Sequence, residues 1–130
     1  MEEIIMEPAA IRKIGQVSVP VHSLETAIPF YRDTLGLPLL FQTGNLAFFE
    51  CGGTRVLLNI PEDERFAKSS SVLYFDVADI RGAYEALLAK GVTFIDEPHV
   101  VGKMGDSESW MVFFEDPDRN IHALVSEKDA

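Results

Sequence analysis

Apolar and polar residues alternate over Gly15–Val21, with Val17, Val19 and Val21 on one side and Gln16 and Ser18 on the other. That is the period of a half-buried strand. From Ser23 the period changes. Leu24, Ala27, Ile28, Tyr31 and Leu35 recur at helical spacing and predict a helix over Ser23–Leu35 with one buried face. Ser23 is placed to cap its start, Gly36 to end it in a left-handed conformation, and Pro29 to kink it, because proline carries no backbone donor. Three short strands follow, at Leu37–Thr43, Leu46–Cys51 and Thr54–Ile60. Gly44-Asn45 and Gly52-Gly53 between them are hairpin signals.

The order then returns. Ser71–Val77 reads as a strand; Asp79 caps a helix with Ile80, Ala83, Tyr84, Leu87 and Leu88 on one face, and Gly91 closes it. A strand over Val92–Asp96, a long loop over Glu97–Asp106 and strands at Ser109–Glu115 and Ile121–Ser126 complete the chain, the last two joined by the turn Asp116-Pro117-Asp118-Arg119-Asn120. Val21 and Val77, Leu24 and Ile80, and Ala27 and Ala83 are each 56 positions apart, as are Gln16 and Val72. This is an internal repeat. The expected architecture is α+β: two βαβββ modules, each a curved mixed sheet with its helix outside, facing a cleft. The expected layout is an N-terminal tail over 1–11, one domain over 12–126 (module one 12–61, linker 62–70, module two 71–126) and a C-terminal tail over 127–130.

Composition narrows the function classes. With 130 residues and 47% hydrophobic residues, the chain is long and apolar enough for one packed domain. A formal charge of −10 repels phosphate backbones, so nucleic acid is not an expected partner. No apolar run is long enough to span a bilayer, the start Met1-Glu2-Glu3 is acidic, and the one cysteine, Cys51, excludes an internal disulfide. The expectation is a cytoplasmic protein that does not associate with membranes.

Three stretches carry a resemblance to a known family: Val21–Leu37 (VHSLETAIPFYRDTLGL), the strand and helix over Val72–Gly91, and Phe113–Leu124 (FFEDPDRNIHAL). They resemble the vicinal oxygen chelate superfamily of glyoxalase I, extradiol dioxygenases, fosfomycin-resistance proteins and bleomycin-binding proteins. The resemblance spans about Arg12 to Ser126. It implies the paired-module fold, a homodimer, and a metal held by His, Glu or Gln side chains in the cleft. Carried onto this chain, the ligand positions fall at about Gln16, Val72, Leu58 and Ala123. Only Gln16 has a donor atom there, and alkyl side chains offer a divalent ion nothing. Asn59 and His122 lie one residue from two of these positions, but a one-residue shift turns a side chain to the opposite face of its strand. No metal and no cofactor are therefore expected.

The candidate site residues follow from position and residue type. Gln16 is a polar group that can orient a bound molecule or be a water-satisfied cavity amide. Ser18 shares its face. Tyr74, with Met111 and Phe113 on one face of a later strand, can line an aromatic pocket or serve as core. Histidine as a residue type titrates near neutrality, so His99, in the long loop, is a candidate acid, base or hydrogen-bond donor, or a structural or surface histidine. Glu50 can act as a base if it faces the cleft, or sit as a strand-end carboxylate at the hairpin mouth. His122 is expected to point away from the cleft and His22 to be solvated, with Arg55 on the strand surface and Cys51 an inert thiol. No nucleophile triad or dinucleotide fingerprint is present. Two function classes remain. One is a metal-free protein that binds a small organic molecule. The other is a lyase or isomerase of glyoxalase type (or a dioxygenase-like enzyme) using a metal or an acid–base pair such as Glu50 and His99. A regulatory module acting through its dimer surface is a third, weaker reading.

Overall fold

The computed structural model describes residues 13–62 and 71–129, apart from the side chains of Met104 and Asp129. The expected N-terminal tail and nearly all of the linker lie outside the described residues. Module one comprises β1 (Gln16–Pro20), α1 (Leu24–Pro29) continued by a π-helical turn (Phe30–Thr34), β2 (Leu39–Thr43), β3 (Leu46–Cys51) and β4 (Thr54–Asn59). Module two comprises β5 (Tyr74–Asp76), α2 (Ile80–Ala89), β6 (Thr93–Phe94), β7 (His99–Met104), β8 (Ser107–Glu115) and β9 (Ile121–Asp129). The sheets run β1-β4-β3-β2 and β5-β9-β8-β6, with β7 added alongside β8. In each, the first strand lies parallel to the last and the other pairings are antiparallel. The two βαβββ units are thus the same topology built twice.

Each sheet buries one face under its own helix. In module one Val19, Ala47, Phe49, Val56 and Leu58 meet Leu24, Ala27, Ile28 and Tyr31. In module two Val112, Phe114 and Leu124 meet Ile80. Phe30 and Leu35, from the π turn and the residue after it, pack against both clusters and join the modules.

The two helices differ by one residue. Gly36 and Gly91 both close a helix with positive φ, at 81° and 89°. From Leu24 and Ile80, which are 56 apart, the separation has fallen to 55 at these glycines. The π turn takes up the extra residue of module one, since its hydrogen bonds close one residue later than α-helical ones. Its closing bond runs from the Leu35 amide to the Phe30 carbonyl at 2.9 Å. Pro29 lies inside this helix, just before the π turn. α2, which has glycine but no proline inside, stays α-helical throughout, and the Asp79 carboxylate accepts from the Gly82 amide at 3.1 Å. Ser23 makes no side-chain cap.

Three expectations from the sequence change. The long loop over Glu97–Asp106 is largely strand: β7 forms a hairpin with β8, with Gly105 at positive φ in the turn. Pro98, Gly102 and Gly105 suggested a loop, but Val100 and Val101 are good strand residues once β8 supplies a ladder. The register slips between Val100 and Gly102, where the glycine accommodates the irregularity. The last strand also continues beyond Ser126 through Asp129, pairing with Ser107–Ser109, so residues 127–129 are sheet and not tail. Leu58 does not face a cleft. It is fully buried under α1, and its neighbour Leu57 occupies the open face.

Candidate functional site: an open cleft on module one

The face of the first sheet away from α1 is banded by cross-strand register. Gln16, Arg55 and Glu50 form one row; Ser18, Leu57, Phe48 and Phe41 the next; Pro20, Asn59, Leu46 and Thr43 a third. The Phe41 and Phe48 rings stack with centroids 4.5 Å apart. Over the second and third rows lies a cleft of about 910 Å³, lined among others by Ser18, Asn45, Leu46, Leu57, Asn59 and Glu62, with Ser71 of module two at its margin. The volume is within the range of small-molecule sites. The Asn59 side-chain amide donates to the Ser18 hydroxyl inside it. This pair leaves the Asn59 carbonyl oxygen and the serine proton for a ligand.

The second sheet treats its open face differently. Tyr74, Ala123 and Phe113 lie in one row, and the Tyr74 and Phe113 rings meet edge to face with centroids 6.4 Å apart. Ala123 beneath them is fully buried. Asp76, Val125, Met111 and His99 form the neighbouring row.

The structure therefore brings some candidates together and separates others. Ser18 lines the cleft. Gln16 sits one row away, exposed on the same face. Tyr74, Phe113, Met111 and His99 belong to the other sheet. Glu50 accepts the Gly53 amide at 2.6 Å, the hairpin-mouth arrangement. His99 is exposed; its Nδ1 lies 2.8 Å from the Glu97 carbonyl and 3.7 Å from an Asp96 carboxylate oxygen. Glu50 and His99 stand on different sheets, each engaged locally. Burial raises the Cys51 thiol above its usual pKa, with the Glu50 charge adding to the effect, which fits an unreactive thiol.

The donor set at the resemblance-implied metal positions does not suit a divalent ion. Gln16 is followed on the open faces by Leu57 and Ala123, Val72 stands before β5 with an alkyl side chain, and among the described residues no group of three His, Cys, Asp or Glu side chains could hold a metal.

Between the modules lies a buried polar chain that the sequence pattern did not disclose. The Leu73 amide donates to His122 Nδ1 at 3.4 Å. His122 Nε2 is 2.8 Å from the Tyr31 hydroxyl, which donates to Asp116 Oδ2 at 2.7 Å. Since the Tyr31 proton goes to Asp116, Nε2 carries the histidine's proton and donates to the tyrosine oxygen. Asp116 also accepts from the Asn120 side chain at 2.8 Å, the Asn120 amide at 2.8 Å and the Asp118 amide at 2.9 Å. The Asn120 side chain donates in turn to the Pro20 carbonyl at 2.8 Å. Burial lowers the His122 pKa from 6.5 to about 4, against a smaller upward pull from Asp116. Burial, with Asp116 beside it, raises the Tyr31 pKa far above its ordinary value. Both groups are held neutral and shut off from solvent. Nearby, exposed His22 is not simply solvated, because its ring Nδ1 lies 2.5 Å from Asp118 Oδ1. Alternation did place His122 on the helix side. What it lacked was any sign that a tyrosine and an aspartate would meet it there.

Two βαβββ modules, each with its helix on one sheet face and the other face left open, define the class of the fold. Residues 13–123 match the Glyoxalase/Bleomycin resistance protein/Dioxygenase superfamily, and the chain belongs to it. It is 29% identical to the uncharacterized protein YraH of Bacillus subtilis (strain 168), over 84% of this chain and 94% of that one. A crystal structure of a member of the same superfamily from Sphaerobacter thermophilus DSM 20745 is 28% identical, covers 89% of this chain and 98% of its own, and has a TM-score of 0.75. Lactoylglutathione lyase from Agrobacterium tumefaciens shares the fold, with a TM-score of 0.73 at 22% identity over 92% of this chain and 95% of that one. No helix among the described residues is long and apolar enough to cross a membrane.

Proposed function

We propose that this protein binds a small organic molecule in the module-one cleft, without the metal that the superfamily resemblance implies. The observation that carries this reading is the cleft of about 910 Å³ in which a Ser18–Asn59 hydroxyl–amide pair stands beside Leu46 and Leu57. A lining that mixes Leu46, Leu57 and Ile60 with Ser18, Thr43, Asn45, Asn59 and Glu62 favours a ligand that is partly apolar and makes several hydrogen bonds. Gln16, on the same sheet face, is within the second ring of residues around the ligand. Tyr74, Met111, Phe113 and His99 line the opposite sheet and complete the enclosure when two copies pair. Apolar side chains exposed in the single chain support that homodimer: Phe41 at 49%, Tyr74 at 55% and Val101 at 49%.

The alternative, a glyoxalase-type lyase or isomerase, draws its support from family membership and not from the placement of Glu50 and His99. Native mass spectrometry of the freshly purified protein, before and after EDTA, separates the two. The binding reading expects a dimer carrying an organic mass that EDTA leaves in place. A stoichiometric divalent ion removed by EDTA together with a measurable turnover would overturn it.

A further inference from the structure

We propose that module two carries a second ligand site, beside the free end of β9, for a small organic cation bearing a neutral oxygen acceptor such as a hydroxyl or amide carbonyl. β5 pairs with β9 only through Asp76, after which the chain turns away, and the last ladder bond runs from the Val77 amide to the Val125 carbonyl at 2.9 Å. Beyond that point the edge of β9 borders a hollow of about 380 Å³, lined among others by Asp76, Ala78, Trp110, Met111, Ser126 and Glu127. Within one chain none of its lining residues borders the module-one cleft, and only Met111 is shared with the wall proposed to close that cleft in a dimer.

Among the described residues, two polar groups of this wall lack hydrogen-bond partners. Ser126 is 3% exposed, and its hydroxyl makes no hydrogen bond; the indole N–H of Trp110, opposite it in the β8–β9 ladder, makes none either. Leaving such groups unpaired is costly, so a molecule that satisfies them is rewarded on entering. The indole offers a donor and calls for an acceptor on the ligand. The serine hydroxyl serves either way. The Lys128 ammonium lies 4.5 Å over the Trp110 ring, so the cover on this side is a side chain with four rotatable bonds that can swing aside. It also shows that the ring face accepts a cation.

The charge of the ligand follows from the rim. The two charged side chains that line the hollow, Asp76 and Glu127, are both exposed carboxylates. These charges attract a small organic cation and disfavour a carboxylate or phosphate.

Trp110 is the only tryptophan of the chain, so its fluorescence reports this hollow alone. Titration with glycinamide and with ethanolamine, each a monocation with one neutral oxygen, should shift its emission saturably in the millimolar range, and sodium acetate should not. Glu127→Gln, at an exposed strand position, and Ser126→Ala, which keeps the size of a small buried side chain, should each weaken binding about tenfold. A flat titration with both amines overturns the proposal. So does a saturable response that both variants leave unchanged, or one that acetate reproduces.

Discussion

Ser18 and Tyr74 are the same residue position in two copies of one module, 56 apart in the chain. In module one the position holds a serine, its hydroxyl takes a bond from Asn59, and a cleft of about 910 Å³ stands open above it. In module two it holds a half-exposed tyrosine whose ring meets Phe113 in the row of the buried Ala123. The helix sides differ in the opposite sense. Tyr31, on the helix of module one, enters a polar chain with His122 and Asp116, whereas Leu87, its counterpart 56 residues on, is one of the apolar residues around Ile80. The same module is built twice, and a few side chains set the copies apart: an open cleft on one, an aromatic row on the other, and a polar bolt between them.

That division can be broken at the bolt first. Asp116 is 4% exposed and accepts four hydrogen bonds, one of them from each of Tyr31 and the Asn120 side chain that reaches Pro20. Asp116→Ala should lower stability by about 3 kcal/mol or more, because it strands several buried donors at once. Urea unfolding is the measurement, and a loss confined to module two would show that the bolt does not couple the modules.

The next largest effect is on pH. His122 is neutral in the folded protein, with its pKa held down at about 4 from 6.5. The unfolded chain therefore binds the extra proton first as pH falls. The associated stability is fully present above pH 6.5 and disappears between 6.5 and about 4, by about 3 kcal/mol. Plotting unfolding free energy against pH for the wild type and for His122→Gln should show the slope in this window reduced in the variant. Equal slopes would refute the assignment.

Exchanging the open faces sharpens the comparison further. Ser18→Tyr copies module two into module one and should weaken ligand binding at least tenfold while leaving the thermal midpoint within a few degrees, since the new ring enters existing space. Isothermal titration with the molecule recovered from the purified protein reads this directly. The smallest contrast is between the helix starts. Asp79→Ala should cost about 1 kcal/mol, as a working cap is lost, and Ser23→Ala close to nothing, because Ser23 makes no cap bond.

Much of this was legible in the residues. Alternation placed Gln16 and Ser18 on the open face, Met111 and Phe113 together, and His122 on the other side of its strand. Gly36 and Gly91 ended helices as their type implies. Other features were hidden for definable reasons. Pro29 foretold a disturbed helix, but the π turn shows only as the one-residue slip between the two copies. β7 was masked by Gly102 and Pro98, which punctuate loops as readily as bulged strands. Leu58 was misplaced by one residue, and on a strand one residue is the whole difference between core and cleft.

The order of elements, their amphipathic faces and the repeat are set by local periods and caps, and a chain displays those along its length. Which open face stays hollow, and what His122 meets, are settled by side chains that converge from far apart: Tyr31 lies 85 residues from Asp116 and 91 from His122, and Asn120 reaches Pro20 across 100. Such meetings depend on how two finished modules dock. That geometry exists only once both cores have formed around Phe30 and Leu35.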